Sequence, residues 1–143
     1  NLLYKFINKG FPYPFGKFDN QRSFLFINNL LFVLSEIIGT KDFPSGIFNV
    51  ANDENLSSND LVHLISTACN IPLKIYFISP VFIKFLFKIG DFLYFPYINI
   101  KNFNKLTKSF KVSNTKIKKQ LQIESMPYKT GKSMLSTLKE FDV

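Results

Sequence analysis

The stretch GIFNVANDENLSSNDLVHLI, residues 46–65, decides how the rest of the chain is read. Its first seven residues, GIFNVAN, are mostly branched or aromatic and follow the turn residues Pro44, Ser45 and Gly46, which predicts a compact strand. Ser57 and Asp60 then stand at capping-box spacing, with Asp in place of the usual Glu. Leu61, Val62, Leu64, Ile65 and Ala68 follow as the apolar face of a helix. A strand that leads through a polar loop into a capped helix is the working unit of an α/β chain.

The flanking segments extend that pattern. Upstream, LLYKFINKG reads as the last turns of a helix ended by Gly10, so the chain is expected to begin inside a larger protein. FPYPFG is an extended edge piece, and RSFLFI is a short strand. NNLLFVLSEIIGT carries apolar residues at 30, 31, 33, 34, 37 and 38, a helical stripe that Asn28 or Asn29 can cap and Gly39 can end. Downstream, LKIYFI is another strand, and PVFIKFLFKIGDFLYF places Lys84, Lys88 and Asp91 at helical spacing beside a very broad apolar face. Two lysines, Gly90 and Pro96 interrupt that segment, so it is not a membrane span. Residues 99–111 read as an irregular lysine-rich connector before short helices around TKIKKQL and GKSMLSTLKEF.

Length and composition fit one domain, residues 1–143, with 46% apolar content for its core. The formal charge of +8 is uneven: residues 1–72 sum to −1 and residues 73–143 to +9. Such asymmetry suits nucleic acid, an anionic membrane or a phosphorylated ligand without selecting among them. Cys69 is alone and His63 is the only histidine, so the ligand clusters of a disulfide framework or a structural metal site are missing from the sequence. YPFGK (13–17) and YKTGK (128–132) spell a Tyr-x-x-x-Lys pair, but the Pro and Gly between the partners disfavour the helix that pairing requires. GKS at 131–133 lacks the leading glycine of a phosphate loop, because residue 126 is Met. Asp53 and Glu54 read as solvated loop carboxylates.

Against seventeen lysines, Arg22 is the one arginine. A guanidinium offers a planar fork of donors that matches carboxylate or phosphate bidentately, which an ammonium does not.

PYPFG, RSFLFINNL, GIFNVANDENLSSNDLVHLI and VSNTKIKKQL, taken in order, resemble the C-terminal part of extended short-chain dehydrogenase/reductases, the NAD-dependent sugar-nucleotide epimerases and dehydratases. The resemblance implies an α/β fold made of the end of a Rossmann-type sheet plus a small substrate-binding domain, with the N-terminal dinucleotide-binding half absent. NAD and the catalytic Tyr and Lys would belong to that absent half, leaving no catalytic, cofactor-binding or metal-binding residue here. On the same resemblance Arg22 reaches the diphosphate of a nucleotide-sugar substrate, with Phe24 next on the strand. Tyr13 and Phe15 flank base and ribose, and Leu56 and Ser57 approach the nucleoside. The family's second phosphate arginine has no counterpart, and Lys105 or Lys108 stand nearest to its place. The acid of the family's VDxSK-like turn is Ser113 here. A cytoplasmic enzyme of the UDP-glucose 4-epimerase-like type, a homodimer when full length, is the implied whole.

Two other classes arise from the residues alone. Thirteen lysines interleaved with Phe and Tyr suit a nucleic-acid backbone, but no groove-reading motif is present and a solvated face is the commoner explanation, so no nucleic-acid partner is expected. Residues 80–98 suit a helix lying on a membrane surface or packing against a partner.

Overall fold

A computed structural model describes residues 2–93 and 100–140, with the side chains of Leu2, Asp91, Asn102 and Lys105 outside the description. In chain order the elements are α1 (Leu2–Asn8), β1 (Gln21–Arg22), α2 (Ile27–Gly39), β2 (Leu56–Ser57), α3 (Ser58–Cys69), α4 (Pro80–Phe92), α5 (Ile100–Thr107), α6 (Thr115–Leu121) and α7 (Thr130–Glu140). The chain folds into two compact units, one from residues 1–21 and 57–109 and the other from 22–56 and 110–143. It passes from one unit to the other after residues 21, 56 and 109, and β1 and β2 form a two-stranded sheet.

In the first unit α1 packs against α3, and the buried apolar side chains of the two helices include Tyr4, Ile7, Val62 and Ile65. Helix α3 begins as its sequence predicts: the Ser57 hydroxyl accepts from the Asp60 amide, and the Asp60 carboxylate accepts from the Ser57 amide at 2.8 Å. It ends on Asn70 in the left-handed conformation. The edge piece at 13–16 is tied to the LKIYFI segment by bonds from Tyr13 N–H to the Lys74 carbonyl, Tyr76 N–H to the Tyr13 carbonyl and Gly16 N–H to the Tyr76 carbonyl. The expected strand at 73–78 is thereby reduced to isolated bridges, parallel at Ile75 and antiparallel at Phe77, because the edge piece reverses its pairing sense within two residues. Helix α4 packs on α5, and the Phe15, Phe18, Phe87 and Phe103 rings join in pairs with centroids 5.5–6.2 Å apart. Residues 100–107, expected as irregular connector, are helical. Their amphipathic spacing gives Phe103 a buried position on that aromatic cluster. Residues 94–98 of the predicted Phe-rich helix lie outside the described residues.

The second unit is built on Val33, Ile117 and Met126, with Phe32, Ile37, Phe43, Phe48 and Val50 against them. Neither RSFLFI nor GIFNVAN forms a ladder beyond Arg22. The Asn52 N–H donates to the Phe24 carbonyl at 2.8 Å, while the Ala51 and Ile47 carbonyls accept from the side chains of Asn114 and Lys116. Polar side chains take places that a neighbouring strand would fill, so these segments run extended without sheet pairing. Helix α2 begins at Ile27, ahead of both expected caps, Asn28 and Asn29. Phe26 is its N-cap residue, with no side-chain cap, and Asn29 turns inward. At its other end the Thr40 hydroxyl and amide both donate to the Glu36 carbonyl. Among the described residues no helix is long and apolar enough to cross a membrane.

Candidate functional site

Arg22 ends β1, half-buried, on backbone held from both flanks. It forms a parallel bridge with Phe110, and the next amide, Ser23 N–H, donates to the Phe110 carbonyl at 3.0 Å. The Ser23 hydroxyl donates to Asn55 Oδ1 at 2.6 Å and accepts from the Val112 amide at 2.9 Å. A guanidinium carries a planar fork of donors that suits a bidentate oxyanion. Phe24 follows, half-buried, with its carbonyl taken by Asn52.

Residues 51–54 gather other segments of the second unit through polar contacts that range from buried to exposed. Asn52 Oδ1 accepts from Asn29 Nδ2 at 2.9 Å, and Asn29 in turn donates to the Tyr128 carbonyl and accepts from the Tyr128 amide. Asp53 accepts from Lys118 Nζ at 2.7 Å, from the Met126 amide at 2.6 Å and from Asn114 Nδ2 at 2.8 Å. Partial burial works to raise the Asp53 carboxyl pKa, but those hydrogen bonds and the Lys118 charge outweigh it and hold the group below its usual range. Glu54 accepts from the Thr130 amide through its carboxylate and from the Thr130 hydroxyl through its carbonyl. Asp53 and Glu54 are exposed loop carboxylates, as the sequence suggests, and they also have partners that the solvated-loop reading did not include: Asp53 ties α6, and Glu54 the start of α7, to the loop. The sequence signal was NDEN itself, four consecutive side chains able to accept, between a strand-like and a helical run.

The remaining candidates fall as follows. Leu56 is buried on β2 in the second unit, with Arg22 and Phe24. Tyr13, Phe15, Ser57, Lys105 and Lys108 belong to the first. Tyr13 is 4% exposed, and Phe15 sits among the rings of Tyr13, Phe18 and Phe87, so both serve the core of that unit. The Ser57 hydroxyl is committed to the α3 cap. Lys108 is exposed just after α5; the Lys105 side chain lies outside the described residues. Ser113 donates to the Thr115 hydroxyl and accepts from its amide at the start of α6.

Among the described residues, the sequence stretches that spell dinucleotide-enzyme motifs do not take the geometry those motifs need. Tyr13 to Lys17 spans a bridge and a turn rather than a helix, Tyr128 precedes α7, and Met126 is part of the core where a phosphate loop would need glycine. No hydride step is assigned to these residues. No protein-family model, no curated protein and no solved structure matches the chain.

Proposed function

We propose that this chain is the substrate-binding part of an NAD-dependent nucleotide-sugar epimerase or dehydratase, in which Arg22 grips the nucleotide diphosphate. The carrying observation is the convergence of three motif segments separated by up to ninety residues. RSFLFINNL, GIFNVANDEN and VSNTKIKKQL meet through Phe24–Asn52, Ser23–Val112 and Asn114–Asp53 hydrogen bonds. Three parts of the series that the resemblance takes in order thus lie in one unit, which also contains Arg22.

In this reading the chain contributes binding and orientation. A clamp on the diphosphate spends binding energy far from the reacting carbon to position the sugar, while NAD and the acid/base pair come from the dinucleotide-binding half. Calorimetric titration with UDP- and dTDP-sugars tests it. Saturable binding of a nucleotide sugar supports the proposal, and absence of heat with either base overturns it.

A further inference from the structure

We infer that helix α4 is a docking face for a bilayer surface carrying anionic headgroups. Its inner side, Ile83, Phe87 and Gly90, is committed to the first unit, where Phe87 meets the rings of Phe15 and Phe103. A second apolar face then remains. Val81, Phe82, Phe85, Leu86, Ile89 and Phe92 are all exposed, Val81 at 78% and Phe92 at 82%. At ~100° per residue they cover an arc of about 140°. A helix that needs only one apolar stripe to pack has no folding reason for this one.

Charge selects the occupant. Lys84 and Lys88 are exposed and project along the border of that arc. Helix α5, packed on α4, adds exposed Lys101, and exposed Lys108 follows it. Residues 80–108 hold five lysines and a single acid, Asp91, and the first unit as a whole carries nine lysines against three acids. An apolar arc edged by ammonium groups on long stems matches the layering of a membrane interface: phenylalanines below the headgroups, lysines at their level. Each lysine near an anionic surface strengthens partitioning, and neither signal alone suffices for stable attachment. A face awaiting a second copy or another protein would not require that basic border.

The test is co-sedimentation of the full 143-residue chain with phosphatidylcholine vesicles and with vesicles that also contain phosphatidylserine. The expected result is binding to the mixed vesicles only, reduced roughly tenfold or more by Lys84→Glu with Lys88→Glu and by a comparable factor by Phe92→Ser. Phe92 is so exposed that its replacement leaves the core of the unit intact, which circular dichroism verifies. Absence of binding to mixed vesicles overturns the inference, as does binding that ignores both substitutions. Sedimentation velocity of the chain alone supplies a further check: a dimer that Phe92→Ser dissolves would assign the face to a second copy instead. This inference does not depend on nucleotide binding.

Discussion

The Asp53 carboxylate lies 2.7 Å from the Lys118 ammonium, and that contact fastens the loop after residue 52 to helix α6. The two side chains are 27% and 22% exposed, so solvent screening weakens the pair without abolishing it. The same carboxylate also takes the Met126 amide and Asn114, making it the anchor of one wall of the second unit.

Its depressed pKa fixes the sign of a pH effect. The folded state gives up the Asp53 proton more readily than the unfolded chain does. Its stabilisation is therefore complete above the unfolded value of about 3.9 and is lost as pH falls through the lower folded value. Asp53→Asn should cost about 1–2 kcal/mol at neutral pH. Urea denaturation from pH 7 downward should show the difference between wild type and variant shrinking only in the acid range.

Asn29 is fully buried and satisfied by Asn52 and by both backbone groups of Tyr128. Asn29→Ala leaves those groups without their partner, an expected loss of about 2–4 kcal/mol. A double-mutant cycle with Asn52→Ala should show the two losses to be strongly non-additive in urea denaturation.

A Cβ placed on Gly16 would lie 2.6 Å from Ile75 Cγ2 and 3.0 Å from the Tyr76 carbonyl oxygen. Side-chain movement relieves the first contact, but the second is to backbone that the Gly16 amide itself bonds. Gly16→Ala should destabilise the first unit by about 1–3 kcal/mol, read as a lowered thermal midpoint.

Arg22→Lys preserves charge and removes the fork. If the diphosphate clamp operates, affinity for a nucleotide sugar should fall at least about tenfold by calorimetry. Ser57→Ala is the contrasting variant. It should lower stability by about 1 kcal/mol through loss of the α3 cap while leaving the titration unchanged, since that hydroxyl is occupied by Asp60.

Local rules in the sequence determined most of the helices, although α5 reads locally as connector. The Ser57–Asp60 box, the spacing in α2 and the Phe-rich run of α4 need only near neighbours along the chain, so they are legible by periodicity and capping. Arg22 was legible as the exceptional cation for the same reason: its chemistry belongs to the residue. Tertiary structure alone decided the rest. RSFLFI and GIFNVAN have strand composition, yet a strand exists only where a neighbour supplies the ladder, and here Asn114 and Lys116 side chains occupy the Ala51 and Ile47 carbonyls instead. Tyr13 and Phe15 became core residues, and Asp53 became an anchor, because residues such as Ile75, Phe87 and Lys118 reach them from distant points in the chain. A pairing across sixty residues leaves no trace in local pattern, since its free energy arises only when both partners are brought together.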